Sequence, residues 1–567
     1  MSYRKRKNMK TSPTFSLRPI ILFLLFLLIF SIVYSPVLYF NYLFHDDVFF
    51  WAKLNESGFK PYYFDGAIFE CRYGDAFLLT LENFFVHSVS DFRFLRFLAI
   101  LISSGSAYFL FVQMRRLSFS NIQSFLIASA IFFLPGFADI ICSGGYSSIA
   151  SLSILLACWS FHQAETNKRT IIPAIAFLLS LTIYPPATMF YWTLTGIHII
   201  FIPSKDTIQS RNSILRLLAI GLLCILLYAI GIFMMHYFFI HRTKGSLYDP
   251  YVFSFDWAGK LRWFLQEPMG NVLNLWNIFP KTATSIMVSG FIVFTAVFTF
   301  ARKIIVVEPQ QRKAFTFTCL GQLILFIFIS LLCFLPNLAA KVNAPFYRCL
   351  IPLTSLICFV LVWAIFQWIA VIPLILTRSS VIALLCLTVV WAGIKTHHNV
   401  LCYRVLPSSL EYKAYKSMAK EILLKKIDAI HVLLPYPLSI QRYDEFGVIS
   451  SHYTFDIYPL IYCVFQEEGE VDLHAIPTLY VSHPGDHELA EMKEIFITRL
   501  PNGKWVGKDI NRNNQFYEVD HTYFGDTSGL ISSWIFQPMP VKRQNWYVLN
   551  LSDTFSPSNY SILIRRL

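Results

Sequence analysis

The chain has 567 residues, 55% of them hydrophobic and only 14% charged, whereas a soluble domain carries about a quarter charged residues. Its formal net charge of +13 would suit a nucleic-acid binder. The basic residues, however, lie in short segments between apolar runs, where they act as topology signals, so no nucleic-acid partner is expected. Eleven cysteines form no CxxC pair, and most (Cys158, Cys224, Cys319, Cys333, Cys358, Cys386) fall inside apolar runs, which excludes a zinc or disulfide framework.

The N-terminus, about residues 1–19, is basic through Arg4, Lys5, Arg6, Lys7 and Lys10 and leads into an apolar run from Ile20 to about Tyr39. A cleaved signal peptide has a shorter core and a small-residue cleavage site, so an uncleaved first span with a cytoplasmic N-terminus is expected. A span needs about 20 mainly apolar residues. Eleven are expected, at roughly 20–42, 93–112, 122–138, 147–163, 171–185, 187–203, 215–239, 283–300, 315–335, 348–372 and 379–395. The fifth and sixth are separated only by Tyr184-Pro185-Pro186, which stops a helix and turns the chain.

With the N-terminus inside, Lys and Arg concentrate in the cytoplasmic segments, as at Arg115-Arg116, Lys168-Arg169, Arg302-Lys303 and Arg312-Lys313. That bias agrees with the positive-inside rule. The expected membrane domain therefore covers 20–395, with large outer loops at 43–92 and 240–282. An extracytoplasmic soluble domain follows over 396–567. The second large loop contains Trp257 and Trp263 with basic residues between them, a pattern for a short helix lying in the interface. In the tail, Ser408–Lys426 has helical spacing. Ala429–Leu434, Thr478–Ser482, Asn545–Leu551 and Ser561–Arg565 read as strands, which points to an α/β fold.

Loop 1 carries the densest chemistry. It opens Phe44-His45-Asp46-Asp47-Val48, directly after the first span. Adjacent carboxylates raise each other's pKa or share a cation. They suit a base that takes a proton from a hydroxyl, or a ligand for a divalent metal; the bland alternative is that one Asp caps a helix and the other is solvated. Farther along come Glu70, Arg72 and Asp75. A guanidinium here suits a phosphate leaving group, and the competing role for Arg72 is a salt bridge to Glu70 or Asp75. His483-Pro484-Gly485-Asp486-His487-Glu488 resembles a metal cluster, but its Pro-Gly prevents i,i+4 ligand geometry and a solvated turn is expected. His397-His398 reads as an interfacial linker.

A basic N-terminus, one span and then an outer loop opening on paired acids resembles the GT-C type polytopic glycosyltransferases. Asn41-Tyr42-Leu43-Phe44-His45-Asp46-Asp47 followed by Cys71-Arg72-Tyr73-Gly74-Asp75 is similar to the bacterial O-antigen-modifying glucosyltransferases, with Cys71-Arg72 where those have Gly-Arg. Asn343-Ala344-Pro345-Phe346-Tyr347-Arg348 looks like the Tyr-Arg pair that opens a late span in such proteins, and Tyr443-Asp444-Glu445-Phe446-Gly447 resembles a segment of their outer tails. The resemblance implies a bacterial inner-membrane enzyme, a polyprenyl-phosphate-sugar donor held among membrane lipid, and a glycan acceptor on the outer face. It maps the base to Asp46 or Asp47 and the donor phosphate to Arg72 and Arg348, with His45, Glu70, Asp75 and Tyr184 as further substrate-binding candidates. Arg348 has an alternative role as an interfacial anchor. A divalent cation is the one cofactor left open. Two rival functions are a lipid-linked glycan transporter or flippase, and an oligosaccharide ligase or polymerase; ion-coupled transporters place charge at mid-membrane, while the acids here gather in outer loops.

Overall fold

The computed structural model describes residues 18–44, 47, 72–82, 84–166, 170–201, 207–235, 237, 254, 256–276, 281–306, 310, 312–340, 343, 345–371 and 375–424, and beyond them short segments between 429 and 551. His45, Asp46, Glu70, Tyr443–Gly447, His483–Glu488 and Ser561–Arg565 lie outside the described residues.

The helices in chain order are α1 (Arg18–Val33), α2 (Pro36–Tyr39), α3 (Tyr73–Glu82), α4 (Phe92–Arg116), α5 (Asn121–Phe132), α6 (Pro135–Cys142), α7 (Ser147–Thr166), α8 (Ile171–Ile183), α9 (Pro185–Thr188) and α10 (Phe190–Ile200). They continue as α11 (Thr207–Met235), α12 (Trp257–Gln266), α13 (Pro268–Leu273), α14 (Lys281–Val306), α15 (Arg312–Leu332), α16 (Leu335–Ala339), α17 (Tyr347–Val371), α18 (Ile375–Val400) and α19 (Leu406–Leu424). Among the described residues, six helices are long and apolar enough to cross a membrane. A seventh crossing results if the broken pair α5–α6 is one span. Pro19–Val33 and Ile171–Ile183 are shorter apolar helices. The chain is a helical integral membrane protein.

Local chemistry sets the breaks. Ser120 accepts from the Gln123 amide while the Gln123 side chain accepts from the Ser120 amide, a capping box that starts α5. Twelve residues later the helix stops, because Leu134 is extended and Pro135 has no amide to continue the ladder. Pro135 instead opens α6, bent 58° from α5, and every α6 residue is buried. Tyr184-Pro185-Pro186 ends α8 and starts α9 as its prolines require. Asp256 caps α12 by accepting from the Gly259 amide. That helix buries Lys260 and Phe264 while Trp257, Leu261 and Leu265 stay exposed, the two-faced pattern of an interfacial helix.

No break occurs at residue 395. α18 runs on through His397 and His398 to Val400, passes into a π-helical turn (Leu401–Val405) and continues as α19. His397 is therefore no linker: its Nδ1 lies 3.0 Å from the Val33 carbonyl of α1, and Thr396 donates to the Phe133 carbonyl at 2.7 Å. Beyond α19, strand β1 (Ala429–Leu433) pairs in parallel with β2 (Thr478–Ser482) on one side and with Trp546–Asn550 on the other.

Two buried apolar clusters hold the bundle. The larger joins the membrane helices, with Phe30 of α1 stacked on Phe132 and edge-on to Phe133, and Phe26 stacked on Phe125. The second joins Leu43, Leu79 and Phe92 at the loop 1 end to Tyr415 and Met418 of α19 and Ile430 of β1. At the far end of α4, Glu165 of α7 gathers Gln113, Arg116 and His198 on its carboxylate, while Arg216 donates to its carbonyl, tying four helices together.

Candidate functional site

The geometry of loop 1 begins with Asp47, which is fully buried. Its Oδ1 accepts from the amides of Gly144 at 2.6 Å and Gly145 at 3.0 Å. Its Oδ2 accepts from the Phe44 amide and from Arg96 Nη2, both at 3.2 Å. Every contact is a donor, the shell that an acceptor-only carboxylate requires. Burial pushes the Asp47 pKa upward, and Arg96 followed by the Gly145, Gly144 and Phe44 amides pull it back. With both oxygens engaged, Asp47 is an anchor for the chain around it. It holds the Phe44 amide three residues back, as a carboxylate in a first helical turn does, and the Gly144-Gly145 turn nearly a hundred residues away.

Arg96 of α4 is also fully buried. It donates to the Tyr42 carbonyl at 3.0 Å and lies flat on the Tyr42 ring, 3.6 Å from the centroid, an arrangement suited to a weakly hydrated planar cation. The turn Ser143-Gly144-Gly145-Tyr146 between α6 and α7, together with Ser147 and Ser148 that open α7, is the organising element. Two of its amides hold Asp47, its Ser148 hydroxyl donates to Glu82 Oε1, and its Tyr146 ring faces Arg72. Gly144 has to be glycine, since a Cβ there would lie 2.2 Å from Phe92 Cδ1 and 3.0 Å from Asp47 Cγ. Gly144→Ala is expected to cost about 1–3 kcal/mol, the usual range for overpacking; a thermal midpoint in detergent equal to wild type would contradict the close approach.

α3 supplies the second acidic face. Asp75 and Glu82, seven residues apart, are both buried on one side of the helix, two turns being one repeat of the helical face. Gly74 lets α3 seat against the end of α8, where a Cβ would meet Ile183 Cγ1 at 2.7 Å. Arg72 forms the ion pair with Asp75 that the sequence offered as its alternative role. The same guanidinium lies 5.6 Å from the ring centroids of both Tyr146 and Tyr184. Arg348, half-buried in the first turn of α17, acts electrostatically on Tyr184 together with Arg72. Arg72, Asp75 and Tyr184 thus meet, although they come from loop 1 and the α8–α9 break, and the charge of Arg348 reaches Tyr184 from a late helix. Glu82 Oε2 has no hydrogen-bond partner among the described residues. Burial raises the Glu82 pKa to about 8, with the charges of Asp75 and Asp47 adding to the rise and the Ser148 hydroxyl opposing it.

A third buried ion pair adjoins these. Asp139 of α6 pairs with Arg404 of the π-turn at 2.6 Å, and Arg404 lies 3.8 Å above the Phe44 ring. Glu82, Arg96, Asp139, Gly144, Ser148 and Arg404 were all missed by sequence reasoning. Arg96 and Asp139 sit at span ends, where charge reads as topology, and Arg404 lies past the expected end of the last span. The one legible signal was Gly144-Gly145 after Ser143, a turn composition. Among the described residues no three His, Cys, Asp or Glu side chains form a group able to hold a metal ion.

No protein-family model matches the chain, and no curated protein matches it in sequence.

Proposed function

We propose that the protein is a membrane glycosyltransferase that moves a sugar from a polyprenyl-phosphate donor to a glycan acceptor at the outer face of the membrane. The observation that carries this reading is the Arg72 guanidinium 5.6 Å from the Tyr184 ring, beside the buried carboxyls of Asp75 and Glu82, with the charge of Arg348 acting on the same tyrosine. Two guanidiniums suit a departing phosphate, because a planar fork meets phosphate oxygens in pairs. Neighbouring acids suit a hydroxyl that must lose its proton as it attacks the anomeric carbon.

In this reading Asp46 is the base. Asp47 has both oxygens filled by donors and holds the segment that presents its neighbour. Tyr184 orients the donor phosphate, and Glu82, neutral at pH 7 with a pKa of about 8, offers a proton to a ligand oxygen as a buried carboxylic acid does. The eleven-span GT-C arrangement, with the tail as an outer α/β domain, belongs to the same proposal. Its support is the six to seven long apolar helices, the shorter apolar helices beside them, and the parallel pairing of β1 with two strands.

The test compares Asp46→Asn and Asp47→Asn in cells, measuring membrane expression and surface glycan composition. Asp46→Asn is expected to express at wild-type level and to abolish one sugar modification. Asp47→Asn turns an amide N–H toward existing donors, so it is expected to lower expression as well as transfer. Normal expression of both variants with every glycan unchanged would sink the reading. Accumulation of lipid-linked donor on the inner face, with transfer intact, would favour transport.

A further inference from the structure

We infer that Arg404, where the membrane bundle joins the tail, is a positioning residue for Asp47 at the opening of loop 1. That the preceding residue in sequence, Asp46, is catalytic rests on the function proposed above; the positioning of Asp47 rests on geometry.

Two buried guanidiniums grip the short segment Tyr42–Asp47. Arg96 takes the Tyr42 ring and the Asp47 carboxylate. Arg404 takes the Phe44 ring at 3.8 Å. From Arg404 two routes lead to Asp47. The first is short: the Phe44 ring lies under the guanidinium, and the Phe44 amide donates to Asp47 Oδ2. The second passes through Asp139, which holds Arg404 at 2.6 Å and belongs to α6. That helix ends at Cys142, and the Gly144 and Gly145 amides just beyond it bind Asp47 Oδ1. Both oxygens of Asp47 therefore answer to the placement of Arg404.

The placement of Arg404 is itself a backbone decision. Leu401–Val405 is a π-helical turn within one long helical stretch. Such a turn inserts a residue and rotates the helix beyond it, and single π-turns gather at functional sites. Immediately after it, α19 packs Tyr415 and Met418 into the cluster that also contains Leu43, Phe92 and the strand residue Ile430. The tail and loop 1 thus share one core, while Arg404 lies on the ring of Phe44, which follows Leu43 in sequence and belongs to the membrane cluster.

Arg404→Lys separates the two functions of the side chain. Lysine keeps a charge for Asp139 but has no planar face to lay on Phe44. Phe44→Leu is the complementary variant, removing the ring while leaving the Arg404–Asp139 pair in place. Full-length protein in nanodiscs would be followed by hydrogen–deuterium exchange on peptides spanning residues 40–47 and α6. In both variants the Phe44 and Asp47 amides are expected to exchange about tenfold faster, with α6 unchanged. Sugar transfer is expected to lose kcat with the KM for the donor retained. Exchange at 40–47 equal to wild type in either folded variant overturns the inference. Absence of transfer in the wild type would instead remove the proposed function and leave the exchange comparison standing.

Discussion

Replacing Arg96 by methionine is expected to destabilise the protein by about 3–5 kcal/mol, the range for breaking one side of a buried ion pair. Methionine fills much of the same volume, so the loss would come from electrostatics more than from a cavity. Asp47 would keep its three backbone donors from Phe44, Gly144 and Gly145 but would lose the only side-chain cation bonded to it among the described residues. A carboxylate in that state either stays charged without compensation or takes up a proton, and a protonated oxygen then opposes one of the amides. The Tyr42 carbonyl loses its donor in the same substitution. Arg96→Lys should fall between the two, because an ammonium cannot lie flat on Tyr42 while bonding both oxygens. Denaturant titration in detergent measures the difference. A loss below about 1 kcal/mol, the level of an exposed pair, would mean that Arg96 does not hold Asp47.

The second large effect concerns pH. The Glu82 pKa is raised from 4.5 to about 8 in the folded protein by burial, with Asp75 and Asp47 contributing. A carboxyl that holds its proton more tightly when folded contributes stability fully present below its unfolded pKa. That contribution is lost as pH rises through the folded value. The wild type should therefore lose stability between about pH 5 and pH 8, and more slowly above. Each unit of pKa difference corresponds to about 1.4 kcal/mol, so the full effect is at most a few kcal/mol. Glu82→Gln removes the titration and keeps an acceptor oxygen for the Ser148 hydroxyl. The variant is expected to have the higher thermal midpoint at pH 9 and to converge with wild type near pH 5. Parallel midpoint curves for the two proteins would show that Glu82 does not titrate in this window.

Arg72, Asp75, Tyr184 and Arg348 were all candidates from the sequence, and the structure brings Arg72 to Asp75 and Tyr184. Each stands beside a local signal: a guanidinium in a polar loop, a Pro-Pro break, or an arginine opening an apolar run. Asp47 was legible as important, and its role was not. Paired acids after a span read as chemistry, yet the choice between a base and an anchor is made by the set of atoms facing each oxygen. For Asp47 those atoms include amides 97 and 98 residues away and a guanidinium 49 residues away. The same distance in sequence hid Arg404, whose partner Asp139 is 265 residues earlier.

By itself the sequence determined the solvent in which this protein folds, the helix break at Tyr184-Pro185-Pro186, and the two-faced helix Trp257–Gln266. Those outcomes follow from hydrophobicity, proline and capping, all of which act over a few residues. The tertiary structure decided which charges became buried partners, that α18 continues through residue 395 into the tail, and that Gly144 must lack a side chain. These depend on packing between segments far apart in the chain, where a carboxylate is stabilised or stranded by neighbours that only the fold brings to it.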